Sequence, residues 1–134
     1  MKKYYSVGEA EEIIPLIKPK ILNIMKLSKA IDFLDAIELE YENQHEAIKR
    51  DVALNKKFHE FSFKFCKEVE KLLDKGIVLK DVDMGLVNFY SMLGSQEIYL
   101  CWRLGEDKIN HWYEIDSEYD FRKPISELKK QSKH

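Results

Sequence analysis

The chain has 134 residues, with 22 basic and 24 acidic side chains and a formal net charge of −2. This length suits one domain with a hydrophobic core. The near balance of charge excludes a general polyanion binder, so we expect neither nucleic-acid nor membrane-surface binding. With 45% hydrophobic residues, five glycines and three prolines, the composition favours long regular elements over disorder or a loop-rich β-sandwich.

The first predicted element is a long helix that begins at a capping box. Ser6 is the expected N-cap, and Glu9, three residues later, reaches back to the backbone of the cap. Apolar residues then recur at steps of three and four, which predicts one continuous stripe. The stripe consists of Ile14, Ile17, Ile21, Ile24, Leu27, Ile31, Leu34, Ile37 and Tyr41.

A second long helix is predicted after a turn at Tyr41–His45, and Gly76 is its expected C-terminal cap. Because a short turn makes two long helices antiparallel, residues 6–75 predict a helical hairpin with coiled-coil-like pairing. The stripe of the second helix consists of Ile48, Leu54, Phe58, Phe61, Phe65, Val69 and Leu72. Together with Phe63, the phenylalanines of this stripe present more apolar surface than the contact between two helices can bury. We expect them to pack against the following module, against a second copy of the chain, or against both.

After Gly76 the hydrophobic period changes from helical to two, which predicts an antiparallel meander of three or four strands over residues 77–115. The predicted strands are 77–82, 86–92, 96–104 and 108–115. Gly94-Ser95 and Glu106-Asp107 are the expected two-residue loops between them. The predicted fold is therefore α+β. It is a single domain over residues 1–134, in which the long two-helix hairpin packs on the small meander and a C-terminal segment with a basic tail (116–134) follows.

These loops set the register of the predicted sheet. The first pairs Val87 with Trp102, and the second pairs Trp102 with His111 and Leu100 with Tyr113. A slip of one residue in the second hairpin is disfavoured, because it would carry Asn110 and Glu114 toward the core. One predicted face is then an ordinary apolar core face: Val87, Phe89, Ile98, Leu100, Trp102, Leu104, Ile109, His111, Tyr113 and Ile115. The opposite face mixes aromatic and polar residues: Asn88, Tyr90, Glu97, Tyr99, Cys101, Arg103, Lys108, Asn110, Trp112 and Glu114.

Two functional interpretations of the mixed face stay open, beside that of an incidental surface. It is either an interface, covered by a second copy or by the C-terminal segment, or it is a pocket for a small anionic ligand. The candidate ligand-binding residues are Tyr99, Arg103, Trp112, Glu114 and Arg122. In that pocket the two arginines would hold the anion, and the Glu114 carboxylate would orient them or act as a base.

Other chemistry finds little support in the residue pattern. Residues 76–122 carry nine acidic and four basic side chains, a net charge of −5. The run Asp116–Asp120 resembles the start of a calcium loop but lacks the glycine and the distal glutamate, so no metal site is predicted. His45, His59, His111 and His134 form no HxxxH pair, and we interpret His111 as a core residue. No phosphate-binding glycine loop or catalytic triad is found, so no cofactor and no catalytic residue is assigned.

Several motifs make the chain resemble an uncharacterised family, domain of unknown function 2203. The densest match is Leu100-Cys101-Trp102-Arg103-Leu104-Gly105-Glu106, preceded by Tyr5-Ser6 with Glu9-Ala10 and by residues 80–89, and followed by Trp112, Asp116, Arg122 and Pro124-Ile125. The resemblance implies no reaction, but it marks charged positions: Lys80, Asp81, Asp83, Arg103, Glu106, Glu114, Asp116 and Arg122. The chain departs from the family pattern where Asn88 replaces an aspartate, Tyr113 replaces a histidine, and Glu118 and Phe121 replace glycines.

We therefore predict a non-enzymatic interaction or scaffold protein that forms a homodimer through its helix stripes. The alternative is a protein that binds or hydrolyses a small anionic ligand on the mixed face of the sheet. No signal peptide or membrane span is expected. Because the two cysteines lie outside any CxxC pair, we expect reduced thiols and a cytoplasmic protein.

Overall fold

The architecture is two long helices followed by an antiparallel sheet, as seen in a computed structural model that describes residues 3–37 and 43–131. Helix α1 spans Val7–Asp35 and helix α2 spans Gln44–Asp74, and the two contact each other along the predicted hairpin. Residues 41 and 42 of the predicted turn, and with them the stripe residue Tyr41, lie outside the described residues. The turn ends earlier than predicted, because Asn43 is the N-cap of α2 and residues 44 and 45 are already helical. The α+β fold class is confirmed.

The helix ends follow the local signals in the sequence. The Ser6 hydroxyl accepts a hydrogen bond from the Glu9 N–H at 3.1 Å, and the Glu9 carboxylate accepts one from the Ser6 N–H at 3.2 Å. Gly76 follows α2 in the left-handed region, with φ +80°. A Cβ at this position would lie 2.5 Å from the carbonyl oxygen of Lys3. Backbone conformation and close packing therefore both require glycine there.

The sheet is a meander in which the order of the strands in space follows the chain. Its strands are β1 (Ile77–Asp81), β2 (Leu86–Leu93), β3 (Gln96–Arg103), β4 (His111–Glu114) and β5 (Lys123–Pro124). A short helix, α3 (Ile125–Gln131), follows β5. The strand β4 is shorter than predicted, and the two-residue β5 adds a strand to the predicted three or four. Gly94, with φ +62°, opens the tight β2–β3 turn as expected.

The main core lies between one face of the sheet and the first half of α1. Its fully buried side chains include Ile17, Ile21 and Ile24 of α1 and Phe89 and Trp102 of the sheet. The face of the sheet that carries Phe89 and Trp102 is called the core face below, and the opposite one the outer face.

The N-terminal segment ties the helices to the sheet. The Tyr5 ring is buried edge-to-face against Phe89, at 5.3 Å between centroids. The Tyr5 N–H donates to the Tyr90 carbonyl at 2.8 Å, and its hydroxyl donates to the Lys75 carbonyl at 2.6 Å. One residue thus joins the end of α2 to the inner strand β2.

The far end of the hairpin is packed much less completely than the rest. We call residues 26–37 and 43–64 the distal hairpin, and the other described residues the body. No described residue of the distal hairpin is buried, although its stripe residues Leu34 and Phe58 are shielded by the other helix to an intermediate degree. Ile48 is 57% exposed, so its predicted place on the seam is wrong. Ile48 lies on a different face of α2. It is six positions before Leu54, and a step of six does not bring two residues to the same side of a helix.

Candidate functional site

The mixed face of the sheet was the predicted place for a site, and its first hairpin has the predicted register. Val87 lies opposite Trp102, and Tyr90 lies opposite Tyr99. Both tyrosines consequently lie on the outer face, since alternate residues of a strand point to opposite sides. Asn88, Cys101 and Arg103 share that face by the same alternation.

The predicted register of the second hairpin is wrong by one residue. Tyr99 lies opposite Tyr113 and Cys101 opposite His111, so Leu100 is paired with Trp112. His111 and Tyr113, expected in the core, belong to the outer face. Trp112, expected on the mixed face, is only 1% exposed and is part of the main core.

A closed seven-residue loop explains the shift. Residues 104–110 replace the predicted two-residue turn, and the Glu106 carboxylate accepts hydrogen bonds from the Arg103 N–H and the Asn110 side-chain amide, both at 2.8 Å. The Trp102 indole donates to the Glu106 carbonyl at 2.9 Å. Because Asn110 lies in this loop, the slip does not carry it into the core. The penalty that disfavoured this register therefore does not arise.

Glu114 avoids the core by a different route. It lies at the end of β4, where its carboxylate accepts a hydrogen bond from the Lys123 ammonium at 2.6 Å. The same ammonium lies 4.9 Å from the centre of the Trp112 ring, and the Trp112 indole donates to the Pro124 carbonyl at 3.2 Å. The bond from Lys123 lowers the pKa of Glu114. These contacts fasten β5 to β4.

The structure thus separates the five candidate ligand-binding residues. Trp112 and Glu114 belong to the core face, whereas Tyr99 and Arg103 alternate onto the outer face. Arg122, from the segment after β4, is exposed and stacks on Tyr119, with its guanidinium carbon 4.2 Å from the ring centre. Glu114 therefore cannot orient Arg103 as predicted, because the sheet lies between them.

Aromatic side chains fill much of the outer face. The Tyr99 ring lies 5.3 Å from Tyr90 and 5.4 Å from Tyr113, and Tyr119 packs edge-on against Tyr113 at 6.5 Å. Leu86, Cys101 and Tyr113 form a second buried cluster, with Tyr119 packed against it. Of the two interpretations left open by the sequence, this geometry resembles a face covered by the C-terminal segment.

Two titratable groups of the outer face, the Cys101 thiol and the Tyr99 phenol, are held in their protonated forms. Burial raises the pKa of the Cys101 thiol to about 12, and burial together with a hydrogen bond that the Tyr99 hydroxyl makes to Tyr90 raises the pKa of Tyr99 to about 12. A neutral thiol is a poor nucleophile and a neutral phenol is no base. Neither group is prepared for catalysis at neutral pH.

One polar group in the cluster is incompletely satisfied. Asn88 is 1% exposed, and its amide nitrogen donates to the Tyr113 hydroxyl at 2.6 Å. Its side-chain oxygen is buried and accepts no hydrogen bond from the described residues. A shallow cleft of about 230 Å³ opens nearby at Tyr119, lined also by Lys80, Glu118 and Asp120. None of the five candidate residues lines it.

No group of three or more histidine, cysteine, aspartate or glutamate side chains among residues 3–37 and 43–131 is arranged to hold a metal ion. No helix in that part of the chain is long and apolar enough to cross a membrane.

A different surface, on the distal hairpin, was missed by the sequence reasoning. A groove of about 350 Å³ opens between the helices, lined by Leu34, Asp35, Asp51, Leu54, Asn55 and Phe58. Beside it α2 carries a row of exposed residues at helical spacing, which we call the outer stripe: Ile48, Val52, Asn55, His59 and Phe63 of the distal hairpin, continued by Cys66. The steps of three and four between these residues were the available signal. They were overlooked because the stronger stripe through Phe58 and Phe65 runs along the same helix.

A comparison with known families matches residues 3–125 to a family described as an uncharacterized conserved protein (DUF2203). The match covers most of the chain, and the protein belongs to this family. No curated protein and no solved structure matches it.

Proposed function

We propose that this member of an uncharacterised family is a self-associating interaction protein and that its distal hairpin is the part that binds a second copy. The proposal retains the predicted homodimer. It moves the contact from the seam stripes, which face each other within one hairpin, to the surface that the hairpin presents outward.

The observation that carries the proposal is the exposure of large apolar side chains on the distal hairpin. Phe33 and Phe63 are 70% and 68% exposed, and Ile48 and Val52 lie on the same outward surface of α2 as Phe63. Burying one such side chain is worth about 1.5–3 kcal/mol. Exposed apolar side chains of this size are typical of protein–protein contact surfaces.

The incomplete seam supports the same conclusion. Two helices shield each other on one side only, so a pair of long helices ordinarily needs a further layer to bury its apolar residues. In the body the sheet supplies that layer for Ile17 and Ile21. In the distal hairpin Leu34, Leu54 and Phe58 line an open groove. A second hairpin would supply the missing layer.

Light scattering coupled to gel filtration tests the proposal at micromolar concentration. We expect the mass of a dimer for the natural chain and a weakening of the dimer by at least about tenfold for Phe63→Glu, because the carboxylate would have to be desolvated in the contact. Phe121→Glu is the matched control, since Phe121 is 68% exposed but belongs to the body. A natural chain that stays monomeric contradicts the proposal, as does an equal loss of dimer in both variants.

The outer face supports a second candidate function, the binding of a small anion. The stacking of Arg122 on Tyr119, with one guanidinium N–H donating to the Tyr119 carbonyl at 3.3 Å, holds a cation beside the cluster that contains Cys101. Arg103 lies on the same face of the sheet. Calorimetric titration with inorganic phosphate tests it. Binding that is lost in Arg122→Ala supports the candidate, and absence of binding at millimolar phosphate contradicts it.

A further inference from the structure

We infer that two copies pair through their α2 helices in antiparallel orientation, with the two-fold axis close to His59. This inference rests on the proposed self-association and names the surface and the geometry that would carry it. The partner is a second copy of this chain, and its contacting segment is the outer stripe.

The outer stripe has the spacing of a helix-pairing surface. From Ile48 the next members follow at steps of four, three, four, four and three residues, to Cys66, and all six side chains are exposed. Such spacing keeps a row of side chains on one side of a helix for five turns. His59 lies near the middle of the stripe. An axis at this position places Val52 level with Cys66 of the other copy and Asn55 level with its Phe63, and Ile48 extends beyond this overlap of the two stripes.

The charge of α2 changes sign at the same point. Residues 44–58 carry four basic and two acidic side chains, a net charge of +2, whereas residues 60–74 carry three basic and four acidic ones, a net charge of −1. An antiparallel pair lays each half against the oppositely charged half of the partner. A parallel pair lays like against like. Because exposed ion pairs are individually weak, this pattern selects orientation and partner more than it supplies affinity.

Individual positions agree with this arrangement. With the axis at His59, Phe63 of one copy lies level with Asn55 of the other, and Asn55 lines the groove of the distal hairpin. The exposed Phe63 ring therefore has beside it a groove whose lining includes the apolar side chains of Leu34, Leu54 and Phe58. Lys56 and the partner's Glu60 each follow a stripe residue by one position and come within about one helical turn of each other.

The antiparallel geometry fixes the distance between the two copies of each residue of the stripe. At 1.5 Å per residue, the two copies of His59 meet at the axis, whereas the two copies of Cys66 are separated by about 21 Å and those of Ile48 by about 33 Å. In a parallel pair every residue of the stripe would instead lie opposite its own copy.

Cross-linking of single-cysteine variants with a short bis-maleimide tests the inference. Three full-length proteins are compared: the natural chain, which has Cys66 on the stripe, and the double variants Cys66→Ser/His59→Cys and Cys66→Ser/Ile48→Cys. The second native thiol, Cys101, is buried and serves as the common background. We expect the His59→Cys protein to form covalent dimers at least about tenfold faster than the other two, because only its thiols lie within reach.

The outcomes separate the inference from the proposed function on which it rests. Light scattering is run on the same samples. Rapid cross-linking through Cys66 or Ile48→Cys indicates a parallel pair and overturns the inference. Slow cross-linking of all three proteins in samples that scatter as dimers places the contact elsewhere, which overturns the inference and leaves self-association intact. Monomeric samples overturn both. Circular dichroism checks that each variant keeps its helices.

Discussion

The body and the distal hairpin use the same kinds of residue with opposite degrees of burial. Phe89, on the core face of the sheet in the body, is fully buried, whereas Phe63 in the distal hairpin is 68% exposed. In the body a helix is covered by strands, by the N-terminal segment and by the loops that join them. In the distal hairpin no described residue is buried, and the two helices leave an open groove between them. Helical periodicity therefore predicts which side of a helix is apolar. Whether those apolar side chains are buried depends on the elements that pack against that side.

The largest expected effect sharpens this contrast with one residue type. Phe89→Ala removes a fully buried ring and should lower the free energy of unfolding by about 3–5 kcal/mol. Phe58→Ala, at a partly shielded position of the distal hairpin, should cost about 1–2 kcal/mol, because less apolar area leaves water there on folding. Urea denaturation at low protein concentration measures both. Equal losses would contradict the difference in packing.

The two free cysteines provide a second comparison, by chemical reactivity. Cys66 is exposed on α2, and Cys101 is buried with its thiol pKa raised to about 12. A thiol-specific colour reagent at pH 8 should modify one cysteine in the folded monomer and reach the other at least about 100-fold more slowly. Cys66→Ser should abolish the fast phase. Two equally fast phases in the native protein would show that the cluster around Cys101 is open.

The junction between the two helices and the sheet is tested with a glycine pair. Gly76→Ala must place a Cβ 2.5 Å from the Lys3 carbonyl oxygen at a left-handed φ, so it should lower the stability by about 1–3 kcal/mol. Gly8→Ala is the control. Its Cβ meets no atom within 4 Å in the first turn of α1, and alanine should stabilise the helix by about 0.5–1 kcal/mol. Thermal unfolding distinguishes the two, and a neutral Gly76→Ala would mean that the N-terminal segment moves away easily.

The smallest expected effect is a loss of stability of the body in alkali. The pKa of Tyr99 rises from 10.0 to about 12 on folding, so the folded state retains a proton that the unfolded state releases. The stabilisation of the folded state by this proton is complete below pH 10 and is lost as the pH rises through 12. By pH 11 the free energy of unfolding has fallen by about 1 kcal/mol on this account. Tyr99→Phe should flatten the decline between pH 9 and 11. If the free energy of unfolding, measured by urea denaturation, declines with pH equally in both proteins, the effect comes from other groups, of which Cys101 is the first to examine.

Local signals in the sequence predicted the local structure well. Ser6 with Glu9 marked the start of α1, Gly76 marked the end of α2, and Gly94 marked the β2–β3 turn. These signals succeed because a helix cap or a tight turn depends on only a few neighbouring residues. Tyr5 was not predicted as a core residue, since a single aromatic before a helix has no periodicity to reveal its side. Its burial depends on β2 and on the end of α2, which are far away in the sequence.

The register of β4 shows where alternation alone fails. Trp112 and Tyr113 are both aromatic, so either register offers the core a large side chain. The choice depends on the length of the preceding loop, which is closed by the hydrogen bonds of Glu106 to Arg103 and Asn110. The candidate site depended on that choice, because the one-residue shift carries Trp112 and Glu114 to the core face and brings His111 and Tyr113 to the outer face.

Hydrogen exchange measured by mass spectrometry tests most directly whether the distal hairpin is the contact surface. The natural chain and Phe63→Glu are compared at the same micromolar concentration, so that only the first is expected to be dimeric. We predict slower exchange in the natural chain over residues 48–66, with the same exchange in both proteins over β2 and β3. Equal exchange over residues 48–66, or a difference confined to the outer face of the sheet, would contradict the account.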